Sequence, residues 1–117
     1  MQQKEFRATR ASKNIKSLVQ QAREQVKAKR LDEALSTYEE VLKENPDAAG
    51  AYMGIGNIHM RKGDLDEAEN YFNGALHVTK KVAPVLAMLA NVAQKRGDTH
   101  KAMKLNQEAL DSDPKFI

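Results

Sequence analysis

Three histidines, His59, His77 and His100, are the side chains best suited to acid-base or metal chemistry, and their spacing argues against both. They stand 18 and 23 residues apart, and none has a second ligand at the short interval of a metal-binding helix or loop. His59 therefore reads as a packing residue. The chain contains no Cys, which removes thiolate ligands, thiol nucleophiles and disulfides together. Gly50, Gly54 and Gly56 look like a phosphate-binding run only superficially, because they fall inside a helical pattern and not between a strand and a helix. No enzyme, metal or cofactor is expected from these residues. Recognition chemistry is better represented. Asn57 and Asn91 stand 34 residues apart, with Arg23 in the equivalent earlier place, and an amide that both donates and accepts can hold a peptide backbone without reading its sequence. Lys27, Arg61 and Lys95 recur at the same interval and would favour an acidic ligand. Met53, Met60 and Met88 could form a polarisable, adaptable apolar strip, with ordinary core filling as the competing reading.

The interval of 34 extends far beyond these sets. Ala68 corresponds to Ala34 and Ala102, Phe72 to Tyr38 and Asn106, Ala75 to Val41 and Ala109, Tyr52 to Leu18 and Leu86, Gly56 to Ala22 and Ala90, and Gly63 to Lys29 and Gly97. Leu42, Leu76 and Leu110 stay in register, as do Pro46 and Pro114 with Lys80 between them. No insertion breaks the series, so the chain reads as three copies of one unit, none of which can bury its apolar face alone.

On those residues the chain resembles a run of three tetratricopeptide repeats, over residues 15–48, 49–82 and 83–116, preceded by a basic arm or helix extension over residues 1–14. The resemblance implies an all-α solenoid: a right-handed superhelix of six helices in helix-turn-helix pairs, with a concave groove that holds a peptide from a partner. Carried onto matching positions, the groove would include Arg23, Lys27, Met53, Asn57, Met60, Arg61, Met88, Asn91 and Lys95. The family members that clamp a carboxyl-terminal tail use cations and amides at places filled here by Val19, Arg23, Gly54, Pro84 and Met88. Only Arg23 has suitable charge, which argues against that specialised role.

The local patterns agree with paired helices. Apolar positions at helical spacing predict helices over about 11–29, 31–44, 48–62, 65–80, from Pro84, and 99–112. Gly63 and Gly97 suit left-handed turn positions; Lys29 in the same place would be strained by ~1 kcal/mol, so its turn is expected to be either differently shaped or slightly less stable. Asp64-x-x-Glu67 has the form of a capping box, whereas Lys101 takes the place of the second carboxylate after Asp98. Gly56 is expected to permit close approach near Ala68, and Gly54 to leave room beside the groove.

Net charge is +3, but residues 1–30 carry nine Lys or Arg against two Glu while the remainder is net negative. The arm, with Lys4, Arg7, Arg10 and Lys13, is read as a solvated extension, and a nucleic-acid contact through it is the lesser alternative. The expected partner is a protein or peptide, acidic if the basic row is used. Leu89, Val92, Met103 and Leu110 have no following repeat to cover them, which suggests a homodimer through this end or cover by a longer natural chain; an oligomerisation or output role within a larger signalling or assembly protein is the alternative function. No stretch is apolar enough to span a membrane, and a cytoplasmic location, as a protein or as the soluble part of a longer one, is the expectation.

Overall fold

A computed structural model describes the backbone of residues 2–115 and the side chains of residues 14–115. Among these residues there are six α-helices and no strand: α1 (Gln2–Lys27), α2 (Leu31–Glu44), α3 (Ala49–Lys62), α4 (Leu65–Val78), α5 (Val82–Lys95) and α6 (Thr99–Ser112). Each odd helix packs on the even helix that follows it, and α2 on α3 and α4 on α5 join the pairs into one stack. None of the described helices is long and apolar enough to cross a membrane.

The turn inside each pair is the same structure three times. The Gly63 N–H donates to the Met60 carbonyl at 3.1 Å and the Asp64 N–H to the His59 carbonyl at 2.9 Å, the crossed pair of bonds that closes a helix on a left-handed residue. Gly97 and Asp98 repeat it on Gln94 and Ala93, and Lys29 and Arg30 repeat it on Val26 and Gln25. Gly63 and Gly97 have φ of 82° and 83°, and Lys29 has φ of 63°. The lysine thus adopts the glycine conformation instead of a different turn.

The turn between pairs also recurs. Asn45, Thr79 and Asp113 stand 34 residues apart, and the side-chain oxygen of each accepts the backbone N–H two residues on, at 3.0 to 3.1 Å. This local bond gives the chain an alternative to helix. It ends α4 at Val78 even though Lys80 replaces the proline of the other two turns, two residues sooner than the apolar pattern suggests.

Helix α1 begins at Gln2, well before the first clear apolar period. No Gly or Pro occurs before Pro46 to interrupt it, and Gln, Glu, Arg and Ala are good helix formers. Residues 2–13 therefore continue α1 as backbone, while the arm's cations Lys4, Arg7, Arg10 and Lys13 lie outside the described side chains.

The core runs along the stack. Ala22, Ala34, Tyr38, Val41, Ala51, Ile55 and Ile58 form one buried cluster across α1, α2 and α3; Ala68, Phe72, Ala75, Val85, Leu89 and Val92 form the next across α4 and α5. Full burial of a ring such as Phe72 is worth ~1.5 to 3 kcal/mol. Gly56 sits against that ring, one turn along α4 from Ala68: a methyl group on Gly56 would stand 2.6 Å from it. Leu89 and Val92 are buried against α4, so neither lies on the open end of the array. They faced the preceding repeat, which covers them. Ion pairs brace the exposed edge one repeat apart, Lys62 with Asp32 and Arg96 with Asp66. The Lys62 ammonium, by hydrogen bond and charge, holds the Asp32 carboxyl below its ordinary pKa.

Candidate functional site

The stacking creates a groove of about 490 Å³, lined from four helices. α1 supplies Arg23, Val26 and Lys27, α2 supplies Tyr38, α3 supplies Gly54, Asn57, Ile58, Met60 and Arg61, and α5 supplies Lys95. Its floor depends on one small residue. Gly54 lies under the Tyr38 ring so closely that a methyl group there would run into it. Gly54 therefore leaves no empty room; it is the seat of an aromatic side chain from the preceding repeat. Tyr38 is buried as a result, and burial pushes its hydroxyl pKa up, with the nearby Arg23 guanidinium opposing the shift.

Electrostatics distinguish this groove from the rest of the surface. Four of its ten lining residues are cations, Arg23, Lys27, Arg61 and Lys95, and none is a carboxylate. Among the described residues none of the four has an ion-pair partner, whereas Lys62, Arg96 and Lys101 are all matched to Asp32, Asp66 or Glu69. Like charges facing a concave wall concentrate their potential on an incoming anion. Asn57 adds an amide at the centre, and Val26, Ile58 and Met60 add apolar surface for a side chain.

Of the positions singled out from sequence, Arg23, Lys27, Asn57, Met60, Arg61 and Lys95 are brought together here. Asn91 is exposed on α5 but outside the lining, so the amide row has one member at the groove. Met53 and Met88 are half-buried against the Phe72 cluster, as is Met60, so the methionines act first as packing. Tyr38 and Ile58 line the groove without having been expected there. The signal for Tyr38 was a ring in one repeat with a glycine, Gly54, at the start of the next.

The histidines do not converge. His77 and His100 are exposed, and His59 stacks on Tyr71 with ring centroids 5.6 Å apart and planes 15° apart. Its Nδ1 lies 3.6 Å from an Asp64 oxygen, an ion-pair distance too long for a hydrogen bond. Among the described residues no group of three His, Cys, Asp or Glu is placed to hold a metal ion.

Comparisons with known proteins agree with this architecture. The chain is 34% identical over 70 residues to cellulose synthase operon protein C of Komagataeibacter sucrofermentans and of Komagataeibacter xylinus. The match covers 60% of this chain and 5% of those relatives, so the chain spans about a twentieth of their length. Among solved structures, YrrB, described as a TPR protein with an unusual peptide-binding site, superposes with a TM-score of 0.72 at 27% identity over 83% of this chain and 50% of its own. MamA, with a TM-score of 0.79 at 15% identity, covers 86% of this chain and 59% of its own. An O-GlcNAc transferase of Thermobaculum terrenum, with 0.82 at 22%, covers 92% of this chain and 21% of its own; these last two share the fold alone. The family model described as tetratricopeptide repeat matches residues 19–81. With more than half the chain matched, and three hairpins stacked at a constant step, the protein belongs to the tetratricopeptide repeat family.

Proposed function

We propose that this chain is a non-catalytic protein-interaction module whose groove docks an acidic, extended segment of a partner protein. The observation that carries the reading is the charge of the groove wall: Arg23, Lys27, Arg61 and Lys95 converge there without a single carboxylate among the lining residues. Carboxylates on the incoming segment would pair with these cations, Asn57 would bond its backbone, and Val26, Ile58 and Met60 would take one apolar side chain. The likeness to YrrB, whose description includes a peptide-binding site, supports this use of the fold.

Fluorescence anisotropy with labelled peptides of equal length, one acidic and one basic, tests it. The acidic peptide should bind more tightly and lose affinity with added salt. Reversing two wall charges, Lys27→Glu with Arg61→Glu, should weaken binding by roughly tenfold or more while helicity is unchanged. Equal affinity for the two peptides, or for the variant and the wild type, would remove the groove from the interaction.

A further inference from the structure

The open end of the stack carries a different surface. On α6, Met103 is 67% exposed and Leu110 is 44% exposed, and they are the only large apolar side chains so exposed among the described residues. The register shows what such positions do elsewhere. Leu76, the equivalent of Leu110, packs against Ala83, Leu86 and Ala109, and Leu42, one repeat earlier, packs against the first core cluster. On α6 no described residue covers the same face.

A second copy stacked head to tail is a poor cover. α3 presents Ala51, Ile55 and Ile58 to the preceding repeat, and α5 presents Val85, Leu89 and Val92. The α1 residues at the same register are Ser17, Gln21 and Glu24, all exposed. Placing them on Met103 and Leu110 would strip water from polar groups and return no hydrogen bonds.

The surface of α6 instead complements itself. Met103, Asn106 and Leu110 form one stripe at intervals of three and four, the spacing of a helix-helix seam, with Asn106 in place of the buried rings of Tyr38 and Phe72. The charges are segregated along the helix: His100, Lys101 and Lys104 lie toward its N-terminal half, and Glu108 and Asp111 toward its C-terminal half. That order opposes the helix dipole. It is also the reverse of α2 and α4, which have acids in the first turn and Lys43 or His77 in the last. Lys104 and Asp111 are seven residues, or two turns, apart and directly follow Met103 and Leu110, so they share one side of α6, about 100° round from those two. Both are exposed; Asp111 has only a bond from Gln107 at 3.0 Å.

We propose that α6 is a homodimer interface in which two copies pair antiparallel about a two-fold axis. Met103 and Leu110 of each copy close the stripe, and Lys104 of one copy meets Asp111 of the other. Two-fold symmetry makes that contact twice. An inverted charge order, unfavourable within one helix, becomes favourable between two helices that run in opposite directions.

Sedimentation equilibrium on the full chain tests the proposal. Wild type should approach twice the 13.1 kDa chain mass, and Met103→Glu with Leu110→Glu should reduce it to one chain with helicity unchanged. Lys104→Glu and Asp111→Lys should each weaken association about tenfold. Both changes in one chain should restore it, because each reversed charge again faces its opposite. A monomeric wild type at about 0.5 mM, which would leave this face to a different partner, overturns the proposal. So does a dimer indifferent to the double glutamate variant, or a charge swap that fails to recover association.

Discussion

Two glycines of α3 show how strongly a single position depends on its neighbour. Gly50 has open space where a side chain would start, while Gly54 lies against the Tyr38 ring. Gly50→Ala should therefore stabilise the protein by up to about 0.5 to 1 kcal/mol through reduced backbone freedom in the unfolded chain. Gly54→Ala gains the same term but must displace a buried ring, so it should destabilise by ~1 to 3 kcal/mol and disturb the groove floor. Urea denaturation of the two variants checks the opposite signs. Residue patterns exposed the existence of these glycines but not their partners. Gly54 was expected to leave space but receives the Tyr38 ring, and Gly56, expected to face Ala68 or a near neighbour, receives Phe72, one turn from Ala68. A glycine marks a close approach; which side chain approaches is decided by how far one helix pair turns on the next.

At the scale of the helix and its ends, the three copies of the turn provide an internal comparison. Lys29 holds the left-handed conformation that Gly63 and Gly97 adopt without a Cβ. Lys29→Gly should raise stability by roughly 0.5 to 1 kcal/mol, because the relief of left-handed strain exceeds the added flexibility of the unfolded chain. Thermal denaturation followed by circular dichroism measures it, and an unchanged or lower midpoint would contradict the assigned strain. The caps were less legible than the turns. Asp64 makes no side-chain capping bond to α4, whereas the Asp98 carboxylate accepts from the Lys101 N–H at 3.1 Å. The capping-box pattern pointed to Asp64 as the cap, while Asp98 was read as able to cap without the box, and only the second forms. A neighbour one helix away differs between the two: His59 Nδ1 stands 3.6 Å from the Asp64 carboxylate, while the equivalent of His59 beside Asp98 is Ala93.

Across the whole molecule the extents are 53 × 31 × 20 Å and the radius of gyration is 15.7 Å, above the roughly 13 Å expected of a compact chain of this length. An elongated stack of near-neighbour contacts predicts graded stability. Amides of α2, α3, α4 and α5 have packed helices on both sides and should exchange with solvent slowest, with protection falling toward α1 and α6. Hydrogen exchange followed by mass spectrometry tests this; uniform protection would mean that the repeats unfold only as one. If α6 pairs as proposed, its protection should rise with protein concentration. Periodicity revealed this scale most fully, since a constant step of 34 already dictates helix count, order and stacking. The groove was legible only in part: the family resemblance pointed to the cations and Asn57 on α1, α3 and α5, but not to Tyr38, which enters from α2.

Ser17, Gln21 and Glu24 leave the first helix with a wet outer wall. Concentrating the protein should therefore open no route to fibres, because propagation of a filament needs an adhesive patch at both poles and, among the described residues, the exposed large apolar pair is on α6 alone. Any assembly built through α6 is finite, and its scattering should reach a plateau with rising dose instead of climbing without limit.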